Sequence, residues 1–131
     1  MSEQNVEASR RLWGHFLAGD TDEVLAYLDE GIVVQEPSEM PGAGTYRGHE
    51  GWSEQISRFR ELIGGLGYTV LEHVDCGDNV VTVVEATGVG AASGLAGTWS
   101  YAQVETWRQG KIVLISYFLS REAAVEAAKS L

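Results

Sequence analysis

The chain has 131 residues, and its 19 Asp plus Glu against 9 Lys plus Arg give a formal net charge of −10. That is the wrong sign for a nucleic-acid partner or an anionic membrane surface. Hydrophobic residues make up 44%, enough for one domain, residues 1–131, whose core needs no metal or crosslink, and the single cysteine, Cys76, excludes an internal disulfide and zinc sites built on Cys pairs.

The opening MSEQNVEASRR is polar and lacks the apolar core of a signal peptide. No run approaches the roughly 18 apolar residues of a membrane span. The expected location is therefore the cytoplasm. Glu3 to Ala18 has helical periodicity, with Val6, Leu12, Trp13, Phe16 and Leu17 on one side. Gly14 weakens this helix, which points to a close contact there, and Gly19 has the place of its C-cap. Asp20 or Thr21 then caps a second helix, with Val24, Leu25 and Leu28 as its apolar face and Gly31 as its end. A short strand, Ile32 to Gln35, leads to Glu36. The loop Ser38 to Arg47 follows, punctuated by Pro41, Gly42 and Gly44. Gly48 to Ile63 is helical again, with Trp52, Ile56, Phe59 and Ile63 on one face and Gly64-Gly65 as the stop.

The remainder alternates with the period of strands. Tyr68 to Asp75 is followed by a tight turn at Gly77-Asp78-Asn79, then by Val80 to Gly88. Val89 to Gly97 is small and Gly-rich, either a loop or a bulged strand pair. Thr98 to Trp107, a turn at Arg108-Gln109-Gly110, and Lys111 to Leu119 complete the strands. Glu122 to Ala128 is a short closing helix. Helices first and a strand meander after give an α+β class.

Glu36 stands out because it ends an apolar run directly before Pro37. Pro37 holds Glu36 in extended geometry, so its side chain follows the in/out alternation of the strand. Desolvating a carboxylate is costly. Either Glu36 points into a pocket and moves protons there, or it sits at a strand end facing water. Strand alternation supplies possible companions. Trp99, Tyr101, Gln103 and Glu105 share one face, as do Val113, Ile115, Tyr117 and Leu119. If these faces look inward they make an aromatic pocket with polar tips, the usual composition of a small-molecule site. Trp13, Trp52, Ile56 and Phe59 would join them from the helices. Trp99 and Tyr101 fit equally well on an outer face in a dimer contact. Glu105 has the bland alternative of a solvated strand end. His15, His49 and His73 lack metal-ligand spacing, so no metal is expected. Ile112, Leu114 and Phe118 form a stripe opposite the pocket face, which predicts a homodimer through the outer sheet face.

Several segments together resemble the nuclear-transport-factor-2-like superfamily, in its SnoaL-like and ketosteroid-isomerase-like branch. They are LAGD at Leu17 to Asp20, VVQEP, GTYRGHEGW, DCGDNVV at Asp75 to Val81, and the ending WRQGKIVLISYFLSREAA. The resemblance spans nearly the whole chain. It implies a cone-shaped curved antiparallel sheet wrapped by three N-terminal helices, with a short C-terminal helix and a deep apolar pocket. It also implies a general base at Glu36, where ketosteroid isomerases carry an Asp before a Pro. Their oxyanion-donating tyrosine corresponds to Leu12 and their protonated Asp to Gln103. Leu12 cannot donate a hydrogen bond; the Gln103 amide can.

The expected chemistry follows from these readings. Glu36 takes a proton from carbon next to a carbonyl, while Gln103 or Tyr117 steadies the enolate oxygen. Trp13, Trp52, Ile56, Phe59, Trp99, Tyr101, Ile115 and Leu119 hold a hydrophobic polyketide- or steroid-like substrate, with no cofactor. Isomerase, cyclase and dehydratase activities fit this expectation. A non-catalytic ligand binder and a dimerisation module on the same fold are the alternatives.

Overall fold

The computed structural model describes residues 2–40, 43–90 and 94–130. In chain order the elements are α1 (Ser2–Leu17), α2 (Thr21–Leu25), β1 (Leu28–Glu36), β2 (Gly44–Arg47), α3 (Gly48–Leu62), β3 (Ile63–Cys76), β4 (Asn79–Gly90), β5 (Ala96–Arg108), β6 (Lys111–Phe118) and α4 (Arg121–Ser130). The class is α+β. One curved, unclosed sheet runs in the order β2-β1-β6-β5-β4-β3. Neighbours are antiparallel except β1 and β6, which are parallel. Helices α1 and α3 pack on the inner face, with α1 against β3 and α3 against β1. Helix α4 packs on the outer face, where Ala124 and Ala128 bury Val81, Ala102 and Val104.

Local signals explain most boundaries. Gly19 has a φ of +77°. With it, the Asp20 amide donates to the His15 carbonyl and the Gly19 amide to the Phe16 carbonyl, which is the Schellman close of a helix. Ser120 Oγ accepts from the Ala123 amide at 3.1 Å and so caps α4. Cys76 pairs with Asn79 around a two-residue loop that begins at Gly77, φ +77°. Gln109 and Gly110, with φ of 52° and 80°, close the β5-β6 hairpin. Both central residues have positive φ, which matches the right-handed twist of the strands they join.

Other boundaries depart from the sequence periodicity. Helix α2 stops at Leu25, and Asp20 makes no side-chain cap bond. Leu28 already belongs to β1, where it pairs with Ile112. Its spacing from Val24 imitates a helix, but the parallel pairing with β6 captures it. Arg47 and its neighbours form β2 inside the expected loop, paired as Val33 to Arg47 and Val34 to Tyr46. Ile63 begins β3 instead of ending the helix. The Gly-rich segment is a strand pair at its base, Val89 opposite Ala96. Pro41, Gly42, residues 91–93 and the Ile63 side chain lie outside the described residues. An added Cβ at Gly14 would meet nothing within 4 Å, so that glycine serves no close contact.

The outer stripe expected on the last strand also needs correction. Trp107 pairs with Ile112 and Thr106 with Leu114, so the register shifts at Val113. One extra residue reverses the alternation on either side of it. Ile112 is consequently fully buried in the inner core. Phe118 packs against the cluster under α4.

Candidate functional site

Between the inner sheet face and the helices α1 and α3 lies a narrow cavity of about 30 Å³ with an open mouth. Leu12, Trp13 and Phe16 line it from α1; Trp52, Gln55, Ile56 and Phe59 from α3. On α3 these four fall at helical spacing, which turns one stripe toward the sheet. The strands supply Leu28, Glu36, Tyr68, Tyr101, Gln103, Ile115 and Tyr117, and Met40 follows β1. The walls are aromatic and in contact. Trp13 and Phe16 meet edge to face at 5.3 Å, Phe16 and Tyr68 at 5.1 Å, and Tyr101 and Tyr117 lie 5.6 Å apart.

Glu36 faces inward. It is 6% exposed, and neither carboxylate oxygen has a hydrogen-bond partner among the described residues. Burial raises its pKa above the ordinary 4.5, and the nearby Gln55 amide and Arg58 charge offset part of that. Gln55 is close to Glu36 but makes no hydrogen bond to it, since both Glu36 oxygens are unpartnered; Gln55 Oε1 is a further buried oxygen with no partner among the described residues. Unpartnered buried oxygens cost roughly 1–3 kcal/mol per group. Tyr68, Tyr101 and Tyr117 line the same cavity and feel the Glu36 charge. Burial first, and the neighbouring acidic groups after it, push Tyr117 and Tyr101 well above the ordinary phenol value. Tyr68 is pushed up to about 12, chiefly by burial. All three therefore keep their hydroxyl protons at neutral pH.

Gln103 and Trp13 belong to a second polar group behind the cavity wall. Glu105 is fully buried, which overturns its reading as a solvated strand end. Its Oε2 accepts from Gln103 Nε2 at 2.7 Å, Trp13 Nε1 at 3.0 Å and Thr82 Oγ1 at 3.0 Å. Its Oε1 accepts from Ser9 Oγ at 2.6 Å. The Ser9 and Thr82 hydroxyls also meet His73 Nδ1, at 3.2 and 3.1 Å. His73 is half-buried, and that burial, more than any charge near it, lowers its pKa.

The structure therefore gathers Glu36, Gln103, Tyr117, Trp13, Trp52, Ile56, Phe59, Tyr101 and Ile115 around one cavity. Trp99 and Leu119 are corrections. They are 39% and 55% exposed and do not line it. Trp99 shares the inward face but lies beyond the buried stretch of β5, and Leu119 falls after β6 has ended. The cavity residues missed from sequence include Gln55, Tyr68, Met40 and Phe16. Gln55 had a visible signal, since it sits three residues after Trp52 on the apolar stripe. His15 and His49 take no part: His15 lies 3.8 Å from Asp20, and His49 Nε2 donates to the Leu28 carbonyl.

A curved sheet closed by helices over one aromatic cavity defines a nuclear-transport-factor-2-like fold. A sequence model of the SnoaL-like domain matches residues 9–115, and the chain belongs to that family. No curated protein sequence matches it. Among solved structures it is similar to Bal32a from a soil-derived mobile gene cassette, with 22% identity, 94% of each chain covered and a TM-score of 0.80. An NTF2-like protein of Burkholderia thailandensis E264 shares 23% identity over 95% of each chain, TM-score 0.80. TerC, co-crystallised with polyporic acid, shares 22% identity over 94% of this chain and 98% of its own, TM-score 0.77. These likenesses establish the fold. No helix among the described residues is long and apolar enough to cross a membrane.

Proposed function

We propose that the protein binds a small hydrophobic ring-bearing ligand and carries out acid/base chemistry next to its carbonyl, as an isomerase, cyclase or dehydratase. The observation that carries this reading is Glu36: a buried carboxylate in an aromatic cavity, its two oxygens unpartnered among the described residues. A group so costly to the fold is usually kept for use. Its raised pKa makes the ionised form a stronger base toward a carbon acid. Tyr117 supplies the opposing donor, since its hydroxyl stays protonated within the field of Glu36. Gln103 is less suited to that part, because its amide nitrogen is engaged by Glu105. The polyporic acid held by TerC supports a small organic occupant of this fold.

The second reading is a non-catalytic binder. Leu12 at the cavity wall, where the resembling isomerases carry their oxyanion donor, supports it. A homodimer fits both readings. Its surface would be the part of the outer face that α4 leaves open, around Val33 and Leu114, which pair across β1 and β6.

A panel of hydrophobic ketones, screened by thermal shift and then by deuterium exchange at the α-carbon, separates the readings. An enzyme exchanges a bound ketone, and Glu36→Gln slows that exchange by about a hundredfold or more. Binding with no exchange above the solvent rate leaves the binder, and no binding at all removes both.

A further inference from the structure

We propose that Glu105 is a positioning residue that fixes the polarity of Gln103, so that the cavity accepts a hydrogen bond there and selects ligands bearing a hydroxyl. This rests on the reading that the cavity holds a small ring-bearing ligand.

The argument is one of donors and acceptors. An indole N–H can only donate, so the bond from Trp13 makes Oε2 of Glu105 an acceptor. Ser9 and Thr82 add two more donors. A carboxylate that gathers donors on both oxygens is filled in its acceptor-only form, and its next neighbour must also donate. Gln103 therefore turns Nε2 to Glu105, 2.7 Å away. The amide's orientation follows from the network, since its two ends are otherwise alike in shape. With Nε2 held behind the wall, Oε1 is the strong polar atom that Gln103 offers to the cavity it lines.

The other hydrogen-bonding side chains that line the cavity are Glu36, Gln55, three tyrosines and Trp52 with its indole N–H. The tyrosines supply hydroxyl protons, which suit a ligand carbonyl. Gln103 supplies the opposite. A ligand that satisfies both carries a carbonyl at one position and a phenol or enol hydroxyl at another. Placing a methyl ether against Oε1 strands a buried acceptor, and placing a ketone there sets oxygen against oxygen.

The test uses four probes of one shape: naphthalene, 2-naphthol, 2-methoxynaphthalene and 2-acetonaphthone, titrated by calorimetry or NMR. The wild type should bind the naphthol about tenfold more tightly than the ether. Glu36 could also prefer a hydroxyl, so the comparison is repeated in two variants that leave Glu36 in place. Glu105→Gln frees the Gln103 amide to rotate, and the naphthol-to-ether ratio should fall toward one. Should that variant fail to fold, Gln103→Leu removes the acceptor and should give the same loss of ratio. In the wild type, labelled with ¹⁵N, the Gln103 side-chain amide protons should show a cross-relaxation contact with the Trp13 indole proton, because both bond the same oxygen. A wild-type protein that binds naphthol and ether alike overturns the proposal, as does a preference that survives in both variants. Tightest binding of the ketone through Gln103 also overturns it and leaves the ligand-binding reading standing. If none of the four probes binds, including naphthalene, the ligand-binding reading itself falls and takes this one with it.

Discussion

Replacing Glu36 by Gln tests the buried carboxylate without changing its shape. In the wild type the raised pKa means that folding favours the protonated form. The sign follows directly. Below the ordinary value of 4.5 the group is protonated in both folded and unfolded chains, and burial costs it little. As the pH rises past that value the unfolded chain ionises first, and the folded protein loses stability. The loss levels off once the folded carboxyl has ionised too. Glu36→Gln carries no ionisable group there and has no such loss. The variant should match the wild type near pH 4 and exceed it at pH 7 by about 1–3 kcal/mol, the usual cost of a buried unsatisfied polar group. That corresponds to several degrees of Tm for a domain of this size. Urea denaturation of both proteins at several pH values between 4 and 8 measures the difference, and subtracting one curve from the other removes the titration of every other group. A difference that does not change with pH would refute the reasoning. So would a variant less stable than the wild type at pH 7.

Three further outcomes follow from the packing. Gly14→Ala should stabilise the protein by about 0.5–1 kcal/mol, seen as a higher Tm, because the site is helical and the new methyl meets nothing within 4 Å. Gly51→Ala should cost about 1–3 kcal/mol in denaturant titration, since its Cβ would lie 2.9 Å from the Tyr46 backbone carbon where α3 crosses β2. Light scattering on a sizing column at micromolar protein should give twice the chain mass, and Leu114→Lys should halve it; a wild-type monomer removes the proposed outer-face contact.

The residues that turned inward were legible wherever two strands keep simple alternation. Tyr101 and Gln103 share a face of β5, and Trp52, Ile56 and Phe59 a face of α3, by period alone, because a pleat or a helical turn sets which side chains point together; that the β5 face looks inward and not out into a dimer contact came from the fold. The Gly-bearing turns and the Gly19 helix end were equally local. So was the extended geometry of Glu36 before Pro37. Alternation failed on β6, where the register shift at Val113 brought Ile112 into the core. A bulge depends on how the partner strand pairs, and no neighbour in sequence records that. The same limit hid β2, whose four residues are a strand only because β1 lies beside them.

Glu105 shows the division most sharply. By itself the chain determined that this acid alternates with Gln103 and Tyr101 on one strand, and that a carboxylate inside would be expensive. Only the tertiary structure decided that it could afford to be there. Ser9 and Trp13 lie 96 and 92 residues away in sequence, and Thr82 comes from the neighbouring strand. Glu36, carried inward by the same alternation, met no such donors among the described residues. Alternation sets where a side chain points over two residues, whereas whether a charge is satisfied there depends on groups that only the folded chain brings within 3 Å.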